Sequence, residues 1–182
     1  MAFAFADTAQ LEGLALHSAT TTTTFALADT ARLEGLTLHF GDDYYGLHPR
    51  RHSSGLVVKS LAPQVEVLGH RATGAFMTHC GWNSTLEGIM AGLPLLCWPL
   101  YAEQRLNKVL IVEEMKLGVV LRGYDDEVVK AEEVEAKVRW VMESGGGRAL
   151  RERATAEKRS AVKALSEGGS SRAAFVEFLN SL

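Results

Sequence analysis

What this 182-residue chain lacks narrows it first. It has two cysteines, Cys80 and Cys97, too few for the disulfide framework of a small secreted domain. Both sit in apolar text without partners at metal-ligand spacing, so a reducing compartment and no structural metal are expected. No long hydrophobic run exists: the most apolar stretch, residues 89–100, is too short and too proline-marked to span a membrane. The first 13 residues lack the basic start and apolar centre of a secretory signal. Excess charge of either sign is also missing, and a net charge of −3 argues against bulk nucleic-acid binding. The expectation is a cytoplasmic protein without membrane or nucleic-acid partners. What is present, 47% hydrophobic and 23% charged residues, suffices for a folded core of one domain with an appendage.

From Gly55 onward strands and helices alternate. Residues 56–59 form a β-branched strand and 63–68 a short helix, with Gly69 placed as its C-cap. Strands at 75–78, 95–98 and 119–121 are separated by helices starting at Ser84 and spanning 104–115. An amphipathic helix over 131–142 carries Val134, Val138 and Val141, and two more helices cover 148–166 and 171–182. Such alternation implies an α/β fold with a parallel sheet, whose ligands bind at the carboxyl ends of the strands.

One such end stands out. The buried strand at 75–78 runs into His79-Cys80-Gly81-Trp82-Asn83-Ser84 and then into a helical pattern that Gly92 and Pro94 stop. A strand, a polar turn and a helix N-terminus make an anion site, because unpaired backbone N–H groups and the helix dipole point outward there. His79, Asn83 and Ser84 add side-chain donors. A plainer reading fits the same residues: Asn83 or Ser84 as N-cap and Ser84-x-x-Glu87 as a capping box, with no ligand at all. Neither standard nucleotide fingerprint, Gly-x-Gly-x-x-Gly nor Gly-Lys-Ser/Thr, is present.

The text around this turn is long and specific: APQVEVL, HRATGAF and THCGWNSTLEGIMAGLPLLCWPLYAEQ. It resembles the signature box of plant UDP-glycosyltransferases, secondary-product glucosyltransferases of the GT-B fold, and the likeness covers roughly the last two-thirds of the chain. The resemblance implies a partial GT-B C-terminal, Rossmann-like domain over residues 55–182, preceded by an atypical, weakly ordered segment over 1–54. It implies a donor site for a UDP-sugar as co-substrate, with no metal or other cofactor. Backbone groups of Ala62 would meet the uracil edge and Gln64 would lie beside the nucleoside. Glu87 would accept the ribose hydroxyls, while His79, Asn83, Ser84 and the main chain of Trp82 would hold the diphosphate. Glu103 and Gln104 would bind hexose hydroxyls; the family favours Asp at the first of these, and Gln at the second goes with glucose. The box opens with a uracil-stacking Trp in the family, and here that position is Leu61. Loss of a base-stacking aromatic costs about 1–3 kcal/mol per base.

Residues 1 to about 50 are not expected to share the likeness. FAFADTAQLEGLALH at 3–17 returns as FALADTARLEGLTLH at 25–39, a two-copy repeat too short for a solenoid. Each copy suits a strand or a short helix; a hairpin or self-association element is the alternative to simple duplication. Asp42 and Asp43 are a metal candidate only in the sense that paired carboxylates can hold Mg²⁺, and a solvated loop is the expected state. His17 and His39 receive no role, and no residue is assigned as catalytic. In the family an N-terminal half supplies the catalytic His, its Asp and the acceptor pocket, and transfers hexose with inversion to a small-molecule hydroxyl. This chain is therefore expected to bind donor and to be inactive alone. The helix at 148–166 has a basic excess, read as a solvated face laced with Glu152 and Glu157 and not as an RNA site. The alternative to donor binding is a non-catalytic interaction protein, its partner covering Phe175, Phe178 and Leu179, which share one helix face.

Overall fold

The structure, a computed structural model, describes residues 2–6, 23–28, 50–52, 55–61, 63–125 and 129–182. Strands β1 (Ala2–Ala6), β2 (Thr23–Ala28), β3 (Arg50–His52), β4 (Gly55–Leu61), β5 (Thr73–Thr78), β6 (Leu95–Cys97) and β7 (Gly118–Val120) share one sheet. Their order is β3-β4-β2-β1-β5-β6-β7. The helices are α1 (Gln64–Gly69), α2 (Trp82–Ala91), α3 (Gln104–Val109), α4 (Ala131–Glu143), α5 (Gly145–Leu165) and α6 (Ser170–Asn180). A π-helical turn, Leu110–Glu114, continues α3.

The parallel part is β5-β6-β7, with Phe76 opposite Leu95 and Leu95 opposite Gly118. Parallel neighbours need a crossover, and α2 and α3 supply the two. Alternate residues of β5 and β6 go to opposite faces, both of them covered. Phe76, Leu95 and Cys97 pack with Val67, Leu68, Ile89, Ile111 and Leu117 on one face. Ala75, Met77 and Leu96 pack with Val134, Val138 and Val141 of α4 on the other. A sheet buried on both faces explains why its strands are continuously apolar in sequence.

The remaining strands depart from a wholly parallel sheet. β1 is antiparallel to β5, β2 is parallel to β1, and β4 is antiparallel to β2. β4 therefore still runs in the direction of β5, as the α1 connection requires, but two strands lie between them. Those two are the first strands of the repeat copies, and they pair in repeat register: Phe3 opposite Phe25, Ala4 opposite Ala26, Ala6 opposite Ala28. Each copy starts as a strand, not a helix, and the pair is parallel, so it is not a hairpin. The rest of each copy, with His17, His39, Asp42 and Asp43, lies outside the described residues.

Helix ends moved from their expected places. Gly69 is the last residue of α1 and His70 its C-cap. α5 starts three residues early because Ser144 Oγ accepts the Gly147 N–H at 2.9 Å and caps it. Gly92 behaves as expected: at φ 76° it occupies the left-handed position where a side chain would be strained, and its N–H bonds the Gly88 and Ile89 carbonyls. The basic helix α5 spends cations on helix ends. Lys158 Nζ donates to the Ala91 carbonyl at 3.3 Å, and Arg151 to those of Val141 and, at 3.1 Å, Met142. Among the described residues no helix is long and apolar enough to cross a membrane.

Candidate functional site

β5 ends at Thr78, and the path of the chain beyond it turns on Cys80. The φ of Cys80, 65°, lies in the left-handed region, which costs an L residue about 1–2 kcal/mol. Both sides of that residue are held. The Cys80 N–H donates to Thr78 Oγ1 at 3.1 Å, and the Cys80 carbonyl accepts from Asn107 Nδ2 at 2.9 Å. The chain is thereby reversed early enough for Gly81 to be the N-cap of α2. The first backbone bond into that cap runs from Thr85 N–H to the Gly81 carbonyl at 2.9 Å. Helix geometry then leaves the N–H groups of Trp82, Asn83 and Ser84 without an intrahelical carbonyl.

The capping-box reading is overturned here. Gly81, not Ser84, is the N-cap, and no side chain caps the helix. Glu87 does not reach back to the helix start; it accepts from Gln64 Nε2 at 2.5 Å, and the same amide lies 3.3 Å from Ser84 Oγ. The physical reason is the left-handed Cys80, which moves the N-cap three residues toward the strand, from Ser84 to Gly81.

A cavity of about 710 Å³ opens against this turn. Seven residues expected from sequence line it: Gln64, His79, Trp82, Asn83, Ser84, Glu87 and Glu103. Val65, Glu66 and Gly81 line it as well and were not anticipated. Val65 and Glu66 follow Gln64 in the first turn of α1, a placement that only the docking of α1 beside α2 reveals. A Cβ at Gly81 would stand 2.3 Å from His79 Nε2, so any larger residue there would have to displace the imidazole.

Three expected residues stand apart. Gln104 is buried and does not line the cavity; its Oε1 accepts the N–H groups of Leu100 at 2.9 Å and Tyr101 at 3.0 Å. That leaves its amide N–H₂ as the group with anything to offer a ligand. Leu61 is the last residue of β4, and Ala62 lies outside the described residues. Cys80 and Cys97 are free, buried thiols. A hydrogen bond with Cys80, reinforced by burial, pushes the Cys97 thiol up, which keeps it protonated and unreactive. Among the described residues no group of three or more His, Cys, Asp or Glu could hold a metal ion.

Donors at a helix N-terminus suit an anion, and carboxylates suit hydroxyl groups; the cavity offers both. The sequence profile of the family described as "UDP-glucoronosyl and UDP-glucosyl transferase" matches residues 28–145, so the likeness reaches back before Gly55 into the segment expected to lie outside it. The chain belongs to this family. Among its UDP-glycosyltransferase relatives, UDP-glycosyltransferase 13 of Pueraria montana var. lobata is 51% identical over 130 residues, 70% of this chain and 29% of that protein. UDP-glycosyltransferase 88F4 of Malus domestica is 50% identical over 139 residues, 75% of this chain and 29% of that protein. Phytolacca americana UGT2, solved with UDP-2fluoro-glucose and pterostilbene, matches with TM-score 0.64 and 40% identity over 68% of this chain and 28% of that one. Medicago truncatula UGT71G1, solved with UDP-glucose, matches with TM-score 0.62 and 39% identity over 67% of this chain and 27% of that one. The chain thus spans under a third of the length of the curated relatives it matches. The GT-B assignment follows from these neighbours.

Proposed function

We propose that the cavity against α2 binds a UDP-hexose, with UDP-glucose the favoured donor. The observation that carries this is the gathering of seven residues that the resemblance implies, from α1, the β5–α2 turn, α2 and the start of α3, around one cavity. His79, the side chains of Asn83 and Ser84 and the open N–H groups of α2 hold the diphosphate, where helix dipole and donors favour negative charge. Glu87, oriented by Gln64, accepts the ribose hydroxyls, and the nucleoside lies along Gln64, Ala62 and Leu61. Glu103 takes hexose hydroxyls, joined by the free end of the Gln104 amide. UDP-glucose and UDP-2fluoro-glucose in the solved relatives support this choice of donor.

In transfer, the bond from sugar C1 to the diphosphate breaks and negative charge grows on UDP. Donors already aimed at that oxygen stabilise the leaving group without reorganising. An acceptor hydroxyl of a small molecule must lose its proton to attack C1 from the opposite face, with inversion. In this reading His79, the imidazole lining the cavity, serves the diphosphate and is not the base that takes this proton. Calorimetric titration of the chain with UDP and UDP-glucose tests the reading. Dissociation constants in the micromolar to millimolar range, about −8 to −4 kcal/mol, are expected; no heat and no competition by UMP would sink it.

A second reading rests on α6, where Phe175, Phe178 and Leu179 are each at least half exposed. Such a face suits a protein partner. It gains weight only where the chain binds no UDP.

A further inference from the structure

Asn107 is buried on α3, 27 residues beyond the turn it serves. Its Nδ2 reaches the Cys80 carbonyl at 2.9 Å, while Thr78 Oγ1 takes the Cys80 N–H from the strand side at 3.1 Å. These two bonds bracket a residue in a conformation that L side chains rarely keep unless their surroundings impose it. On one side of Cys80 is His79; on the other are Gly81 and the open end of α2. α3 is fixed in its own right, because Gln104 ties its first turn to the Leu100 and Tyr101 amides. Asn107 also donates its backbone N–H to the Glu103 carbonyl at 2.9 Å. One helix therefore begins at the residues expected to hold the sugar and, one turn later, grips the turn expected to hold the diphosphate.

We propose that Asn107 is a positioning residue of the donor site: by holding the Cys80 carbonyl it keeps the left-handed turn that presents His79 and the α2 N–H groups to the diphosphate, in register with Glu103. It touches no ligand. This rests on the donor-site reading above. Uridine recognition, which runs through Gln64 and Glu87, is reached by no bond from Asn107, so its loss should divide the ligand in two.

The test uses Asn107→Leu, similar in size and without a donor, beside Ile111→Ala, a core truncation one turn further along. In Asn107→Leu, UDP and UMP affinity should fall about tenfold, the consequence of a buried carbonyl left unpaired, while uridine affinity changes by less than about twofold. Asn107→Gln, which keeps the amide, should restore much of the loss. Ile111→Ala should lower the melting temperature and leave the UDP-to-uridine ratio alone. An unchanged ratio in Asn107→Leu, or the same shift in Ile111→Ala, overturns the proposal. Should Asn107→Leu not fold, the smaller Asn107→Ser carries the same comparison. Backbone amide shifts of Cys80, Gly81 and Trp82 in ¹⁵N-labelled chain, without ligand, separate this from the donor reading. If wild type binds no UDP that reading fails, yet amide shifts larger in Asn107→Leu than in Ile111→Ala still support the clamp, and equal shifts overturn it.

Discussion

Gln64 Nε2 donates to Glu87 Oε2 at 2.5 Å, joining the first residue of α1 to the second turn of α2 on the cavity wall. The bond engages one carboxylate oxygen; in the proposed site the other accepts the ribose hydroxyls. Because Glu87 has no part in capping α2, Glu87→Ala should cost less than about 1 kcal/mol of stability. It should weaken uridine and UDP alike, by about tenfold, through loss of charge-assisted bonds to ribose. Calorimetry and a thermal melt on the same variant check both halves. A large fall in melting temperature with binding unchanged would return Glu87 to a structural role.

His79 and Gly81 form the next pair. His79→Ala should weaken UDP and UMP and spare uridine, which carries no phosphate. Gly81→Ala should reproduce that pattern although residue 81 contributes no side chain of its own, since the added methyl displaces the imidazole. The two variants combined should lose little more than either alone, because neighbouring groups acting as a unit are not additive. Titrations with UDP, UMP and uridine decide it; additive losses would separate the two residues.

Leu61→Trp should tighten UDP and UMP binding by about 1 kcal/mol, roughly fivefold, by restoring a flat face for uracil. Inorganic diphosphate, which has no base, should show no gain. Where wild-type chain binds UDP and the variant gains nothing, the end of β4 does not face the uracil, and the nucleoside assignment of Ala62 and Gln64 falls with it.

Glu133 predicts an acid limb of stability. Burial pushes its carboxyl up, but the Arg122 backbone N–H and guanidinium, each at 3.0 Å, and Lys137 at 3.8 Å outweigh burial and hold it below the ordinary value of 4.5. A group lowered in the folded state stabilises above its unfolded pKa, and that contribution is lost as pH falls through the folded one. Melting temperature should therefore drop, in part through this group, as pH falls below the ordinary carboxylate range. Glu133→Gln should melt lower at neutral pH and show a shallower acid slope; parallel curves for variant and wild type would refute it.

The sequence by itself determined the elements whose cause is local. Apolar runs marked β5 and β6, the spacing of Val134, Val138 and Val141 marked the buried face of α4, and Gly92 before Pro94 stopped α2, because periodicity and left-handed tolerance are properties of neighbouring residues. The length of the matching signature text also pointed to the cavity residues from Gln64 to Glu103. Only the tertiary structure decided where α2 begins. Ser84 and Glu87 have the chemistry of a capping box, and nothing nearby in the chain says otherwise; the helix starts at Trp82 because Asn107, on another element, steadies a left-handed Cys80. Gln104 turned its oxygen inward for a similar reason, the Leu100 and Tyr101 amides needing an acceptor where the chain leaves β6. The repeat strands entered the sheet between β4 and β5 by pairings with segments far along the chain, and open backbone N–H and C=O groups carry no mark in sequence of which edge they will meet.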